Sequence, residues 1–395
     1  MNDQNSFATI ENSDQMITGG ESLINCLYNE GVRVIFGLPG VQMYHAVVPI
    51  LDYPDIQFIT TRHEQATTYM ADGYFRASHK IAGVVIVQGP GFFNATSGLA
   101  TAYDVSSPML VITGTELYGE DSPTSNNAWI IPMAKWAAQA DRPNQIPKLV
   151  HEAIKQMKSG RPRPVLIQIS QSVLATEEDV VLLKPEQYPP PIPKKEHIHS
   201  VVKILAKSKR PVIWAGGGVH ISSASESLKK LAEYLQAPVL TSANGKGAIS
   251  DQHPLSMGFA ETRYRPLGDW LAARDVVMAI GTRASFSEIE GQQVIRINID
   301  PLESTHPQDH ILGLTGDAKV TLDALLEVLH QKISPRTKWE QASITGLIME
   351  RFEGRNQLEP QRSLIESIRT TVPDDCIFVQ GMTQMGYYSR NYLEI

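Results

Sequence analysis

Residues 81–87 read IAGVVIV and run directly into QGPG at 88–91. A short run that is apolar at every position, rather than at every second one, marks a strand covered on both faces, as in a parallel sheet. Shorter runs of the same kind lie on either side, at 32–36 and 56–60 before it and at 109–113 and 165–169 after it. Between them the apolar spacing turns helical. GESLINCLYNE (20–30) puts Leu23, Cys26 and Leu27 on one face and stops at Gly31, and a further helix starts near Glu64. Strands alternating with helices imply a doubly wound parallel sheet.

The rhythm breaks at KPEQYPPPIPKKE (184–196), whose prolines favour an extended, semi-rigid linker. A second α/β block follows, with strands expected at 211–215, 238–241, 276–280 and 294–299 and a closing helix at 322–328. The expected division is a first domain at 14–178, a linker at 179–196, a central domain at 197–333, a connection with helical content at 334–360, and the start of a third α/β unit at 361–395. In that last unit a helix is expected at 363–370, a strand at 376–379 and another helix from 384 to 392. One βα repeat cannot bury its own faces, so this unit is incomplete and its strand is left with open edges.

A formal net charge of −7 leaves no basic surplus to neutralise phosphates, which argues against nucleic acid as a partner. No apolar run reaches the ~18 residues that span a bilayer. Residues 1–14 are polar and acidic, without the basic and apolar regions of a signal peptide. The only cysteines, Cys26 and Cys376, form no metal or redox spacing, so both thiols are expected to be inert and buried. The expectation is a soluble, cytoplasmic protein that touches neither nucleic acid nor membrane.

Glu64 falls where the strand at 56–60 gives way to a helix, and ligands in open α/β sheets gather at the carboxyl ends of strands. By itself it reads first as an exposed first-turn residue that suits the helix dipole. Pro39 and Gly40 make a turn after the first strand. Gly89, Pro90 and Gly91 follow the IAGVVIV strand and allow the backbone to approach a ligand, and Asn94 is either a cap for the next helix or a ligand contact. His63 is a proton shuttle or a structural hydrogen-bonding group.

Together FGLPG (36–40), RHEQATTYMADGYFRAS (62–78) and QGPGFFNATSGLATAYDVSSPMLVITG (88–114) resemble the pyrimidine-binding domain of thiamine diphosphate-dependent enzymes of the acetolactate synthase and benzoylformate decarboxylase superfamily. The resemblance implies that Glu64 hydrogen-bonds N1′ of the cofactor's aminopyrimidine. This promotes the imino tautomer that takes the proton from thiazolium C2, so that this carbon attacks a 2-keto acid. A glutamine there could hydrogen-bond but could not cycle the proton. Pro39, Gly40, Gly89, Pro90, Gly91 and Asn94 are implied as cofactor-binding. Many acetolactate synthases carry Phe-Gln-Glu after the Thr-Gly element. Here SPTSNNAW (122–129) stands instead, with Asn126 near the glutamine position, which favours another relative over acetolactate synthase itself.

In the second block RPVIWAGGGVH (210–220), APVLTSANGKGAISDQHPLSMG (237–258), GTRASF (281–286) and INIDP (297–301) resemble the central domain of the same superfamily. That domain binds FAD in acetolactate synthase and serves as plain structure in other members, and Arg283 matches an arginine near the flavin. The glycine run 216–218 is not a full dinucleotide fingerprint. Taken alone it would suggest an ordinary nucleotide-binding module, which explains none of the first domain's motifs. By resemblance, a third domain supplies Gly-Asp-Gly and Asn-Asn to hold Mg²⁺ and the diphosphate, and Gly316-Asp317-Ala318 lies in the wrong block to serve. The resemblance thus implies a decarboxylase or carboligase acting on 2-keto acids, a homodimer or tetramer when complete, with this chain truncated and inactive alone. The alternative is a non-catalytic or partner-dependent subunit of a split enzyme.

Overall fold

Helices alternate with the β-runs of the sequence, and the computed structural model turns this rhythm into two separate α/β units, residues 1–189 and 190–395. It describes residues 15–115, 133–261, 264–283, 291–304, 310–337, 344–348 and 358–395.

In the first unit β2 (Val34–Leu38), β3 (Gln57–Thr60), β4 (Gly83–Ile86), β5 (Leu110–Thr113), β6 (Trp136–Ala140) and β7 (Val165–Ile169) form one sheet in the order β3-β2-β4-β5-β7-β6, parallel throughout. Successive side chains go to opposite faces, as the pleat requires. Ile35, Val85, Ile112 and Ile167 pack under the helices Gly19–Asn29 and Ile146–Lys158. Val34, Phe36, Val84, Ile86 and Val111 pack with Ala71, Phe92, Ala95 and Leu99 on the other side. The helices Glu64–Ser78 and Pro90–Val105 carry those last four residues and therefore share one face of the sheet. A reciprocal capping box opens the first helix, with Thr18 Oγ1 accepting from the Glu21 amide and Glu21 Oε2 accepting from the Thr18 amide.

In the second unit β9 (Pro211–Ala215), β10 (Val239–Thr241), β11 (Ser256–Phe259), β12 (Val276–Ile280), β13 (Gln293–Asn298) and β14 (Ile311–Thr315) repeat the plan in the order β11-β10-β9-β12-β13-β14. All of these pairs are parallel as well. Helices Lys195–Lys207, Ser225–Leu235 and Ala318–Lys332 cover one face, and Leu267, Trp270 and Leu271 of Arg265–Ala272 cover the other.

The apolar runs read from sequence are all strands, within two residues at either end. Five strands lie outside those runs. These are the edge strands β6, β11 and β14 and the antiparallel pair of Gln15–Thr18 (β1) with the polar Glu177–Val180 (β8). Edge strands need cover on fewer sides, so their sequences carry a weaker pattern.

Two expectations fail near the end of the chain. Residues 376–379 form no strand, and Ile377 and Val379 are 72% and 85% exposed. A strand exists only where a neighbour takes its backbone hydrogen bonds, and no described residue does so here. Cys376, on the same segment, is exposed rather than buried, while Cys26 is buried and its thiol is pushed up, chiefly by burial. The helix Gln384–Tyr392 does form, burying Tyr388 and Tyr392. Among the described residues no helix is long and apolar enough to cross a membrane.

Candidate active site

Strand β3 ends at Thr60, and the chain takes three residues to enter the next helix at Glu64. The Thr61 amide bonds to the Gly37 carbonyl at the end of β2, which ties this turn to the neighbouring strand. His63 is the N-cap, with extended backbone and Nδ1 accepting from the Gln65 amide at 3.2 Å. The structure thus gives His63 a capping bond, a role normally filled by Ser, Thr, Asp or Asn.

Glu64 occupies the first helical position and is half-buried. Its Oε2 accepts from Asn94 Nδ2 at 3.0 Å. Asn94 lies inside the helix Pro90–Val105 and does not cap it; Gly89 holds the N-cap position, with φ +69° and ψ −127°, a conformation open only to glycine. Pro90 follows at the first helical position, where its missing N–H costs nothing. A Cβ on Gly91 would fall 2.5 Å from Val87 Cγ1 and 3.1 Å from Glu64 Oε1. A Cβ on Gly40 would fall 2.9 Å from Val87 Cγ2. Val87 is therefore the shared floor on which the turn after β2 and the turn after β4 both rest.

These turns stand where the strand order reverses, since β3 lies on one side of β2 and β4 on the other. That switch point is the crevice in which doubly wound sheets bind ligands. The structure gathers Gly40, Glu64, Gly89, Pro90, Gly91 and Asn94 there, with Pro39 entering the same turn.

Several supporting residues lie inside the quoted motifs but were given no role of their own there. Thr68 Oγ1 donates to the Ala95 carbonyl at 3.0 Å, and a Cβ on Gly98 would lie 2.2 Å from that hydroxyl. Thr68 and Gly98 thus lock the Glu64 helix against the Asn94 helix. The small residues at 95–98 were the available signal. The Thr-Gly element has a packing reason, because a Cβ on Gly114 would lie 2.3 Å from Gln88 Oε1. Tyr69, Met70 and Phe93 leave apolar surface exposed near Glu64, with His63, Gln65, Ala66, Tyr69 and Met70 lining an open hollow. Asn126 lies outside the described residues.

Arg283 belongs to the second unit, where it is exposed just beyond β12. The glycines there are taken up by close backbone packing at that sheet's own switch point. The Gly218 amide donates to the Gly281 carbonyl at 3.0 Å, and a Cβ on Gly218 would lie 2.7 Å from Gly281 Cα. Among the described residues no cluster of three or more His, Cys, Asp or Glu side chains could hold a metal ion.

The donor set at Glu64 suits an aminopyrimidine. A carboxylate can exchange a proton with a ring nitrogen, and bare glycines leave space beside it. Comparison with known proteins agrees. The model of the thiamine pyrophosphate enzyme N-terminal TPP binding domain matches residues 17–138, and that of the central domain matches residues 198–325. A probable acetolactate synthase large subunit of Methanococcus aeolicus is 35% identical, over 82% of this chain and 57% of its own length. Its counterpart in Methanocaldococcus jannaschii is 36% identical over 81% and 58%. A probable 2-ketoarginine decarboxylase of Pseudomonas aeruginosa is 31% identical over 95% of this chain and 69% of its own length. The chain spans just under three-fifths of those two acetolactate synthase relatives and a little over two-thirds of the third relative. With both domain models matched in order, and the Glu64 crevice lying inside the first match, the chain belongs to the thiamine pyrophosphate enzyme family.

Proposed function

We propose that this chain carries the pyrimidine-binding half of a thiamine diphosphate-dependent enzyme that decarboxylates or ligates 2-keto acids. The observation that carries the reading is the Glu64 carboxylate, held at the switch point between Asn94 and the bare Cα of Gly91. Thiamine diphosphate, when bound, supplies the electron sink that decarboxylation of a 2-keto acid requires. Glu64 holds and returns a proton at the pyrimidine nitrogen, acting as an acid–base group in a partly enclosed site. Pro39, Gly40, Gly89, Pro90 and Gly91 are assigned to flank the ring and let it approach the backbone.

The diphosphate and its Mg²⁺ are assigned to the part of the relatives' length that this chain does not span. Residues 1–395 alone are accordingly expected to bind the cofactor weakly and to turn over no pyruvate. The complete enzyme is proposed to be a cytoplasmic homodimer or tetramer. FAD is left to the second unit as a structural ligand at most, since Gly216 and Gly218 are engaged by the Gly281 backbone.

The test is Glu64→Gln in the complete enzyme, loaded with thiamine diphosphate and Mg²⁺ and assayed on pyruvate and on longer 2-keto acids. Loss of turnover by about 100-fold or more, with the fold retained, is the expected result for a proton-transfer group. Near-normal turnover would refute the assignment.

A further inference from the structure

Asn94 stands among the residues expected to bind cofactor, yet its amide is spent on another residue of the chain. Its Nδ2 lies 3.0 Å from Glu64 Oε2, the sole hydrogen bond made by its side chain among the described residues. The terminal torsion of a glutamate is broad and roughly two-fold, so a carboxylate without a fixed donor sweeps through many orientations. One donor at a set position removes that freedom. Asn94 is placed for this by a rigid frame: the Thr68–Ala95 bond and the close approach at Gly98 fix one helix against the other.

The two carboxylate oxygens are thereby made unequal. Oε2 accepts from Asn94, while Oε1 has no hydrogen-bond partner among the described residues and looks toward Gly91, where a Cβ would fall 3.1 Å away. An amide N–H can donate but cannot accept, so a proton arriving at Glu64 goes to Oε1. We propose that Asn94 is a positioning residue, which occupies Oε2 and turns Oε1 into the atom that exchanges the proton with the cofactor's pyrimidine. This rests on the reading of Glu64 as the relay. It also explains the glycine at 91, since any side chain there would cover the working oxygen.

Two readouts test it. The first needs no cofactor: the Glu64 carboxylate stretch, isolated as the infrared difference between the unmodified protein and Glu64→Gln. Asn94→Ala, a truncation of an exposed side chain, should move that band as the hydrogen bond is lost. The second is deuterium exchange at C2 of thiamine diphosphate bound with Mg²⁺ to the complete enzyme, followed by quenched NMR alongside the cofactor's dissociation constant. Asn94→Ala should slow exchange about tenfold, the size of one hydrogen bond to a charged group, with affinity changed by less than about threefold. Asn94→Asp keeps the shape but replaces the donor with a like charge, and should slow exchange further.

An unmoved carboxylate band would overturn the proposal. So would a variant that loses affinity while bound cofactor exchanges at the normal rate, for Asn94 would then hold the cofactor instead of Glu64. Exchange retained in Glu64→Gln would remove the relay reading itself. Exchange lost in Glu64→Gln but untouched in both Asn94 variants would remove only the positioning role.

Discussion

His151 Nδ1 lies 3.1 Å from Glu30 Oε1, with only 2% and 5% of the two side chains exposed. On the other edge of the ring, Nε2 faces Tyr188 Oη at 3.3 Å and Glu186 Oε2 at 3.6 Å. One buried imidazole thus joins the end of the helix Gly19–Asn29, the helix Ile146–Lys158 and the segment that leaves the first unit. Burial raises the Glu30 carboxyl above its ordinary value, and Glu186 adds to this, while His151 and Lys158 pull it back. Burial likewise pushes the Tyr188 hydroxyl up, with Glu30 and Glu186 adding to the effect.

A carboxyl raised in the folded state binds protons more readily there than in the unfolded chain. Its contribution to stability is complete below the unfolded value near 4.5 and is lost as pH rises through the raised folded value. Glu30→Gln removes that titration. The unmodified protein should therefore lose stability relative to Glu30→Gln as pH climbs from 4.5 across that interval. Chemical denaturation of both proteins over a pH series checks the sign, and an unmodified protein that gains stability relative to Glu30→Gln as pH rises would contradict it. Removing the other partner, in His151→Ala, leaves the buried Glu30 carboxyl without that hydrogen-bond partner and should cost about 1–3 kcal/mol.

Gly91→Ala puts a methyl group into Val87 and against Glu64 Oε1. Overpacking of this kind costs roughly 1–3 kcal/mol, and the carboxylate is displaced as well. The expected outcome is a modest fall in melting temperature with a much larger fall in turnover of the complete enzyme. Adding Val87→Ala should restore stability better than activity, because it relieves the contact with Val87 while the methyl still faces Oε1. Equal recovery of both would show that the glycine serves packing alone.

Gly98→Ala tests the helix pair that carries the site. The new Cβ would meet Thr68 Oγ1 at 2.2 Å and the Tyr69 amide nitrogen at 3.0 Å, so the helices must separate. A loss of about 1–3 kcal/mol is expected. It should come with faster amide exchange across 64–78, and Thr68→Ala in the same chain should recover part of it. Unchanged exchange in that helix would show that the pair can give locally.

What sequence made legible follows from what had to be continuous in sequence. Val84, Val85 and Ile86 are buried on both faces of a sheet, so nothing polar interrupts them and the strand is plain. Glu64 was singled out because its neighbours formed a dense motif, since a lone glutamate at a helix start says little. The Glu30–His151 pair was not legible because its partners lie 121 residues apart and neither belongs to a motif. The Asn94–Glu64 bond was hidden although both residues belong to motifs, being a relation between two helices rather than a property of either. The strand expected at 376–379 failed because strand propensity is local, whereas a strand also needs a neighbour.

The docking of the last helix rests on Asp251. Its Oδ2 accepts from Lys246 Nζ at 2.7 Å and from the Ile395 amide at 3.1 Å, and its own amide donates to the Ile395 carbonyl at 2.9 Å. Arg390, 4.4 Å above the Phe259 ring, adds a second attachment to the same unit. In Asp251→Ala the backbone bond to Ile395 survives, but Lys246 loses its counter-charge in a nearly closed setting and Ile395 loses an acceptor. Each lost hydrogen bond to a charged group is worth about 1.5–3 kcal/mol. Local opening of 384–395 should therefore become easier by at least roughly tenfold, seen as faster amide exchange there, while the strands β9 and β12 keep their protection. Exchange that accelerates equally in those strands would mean that Asp251 supports the whole unit and not the helix alone.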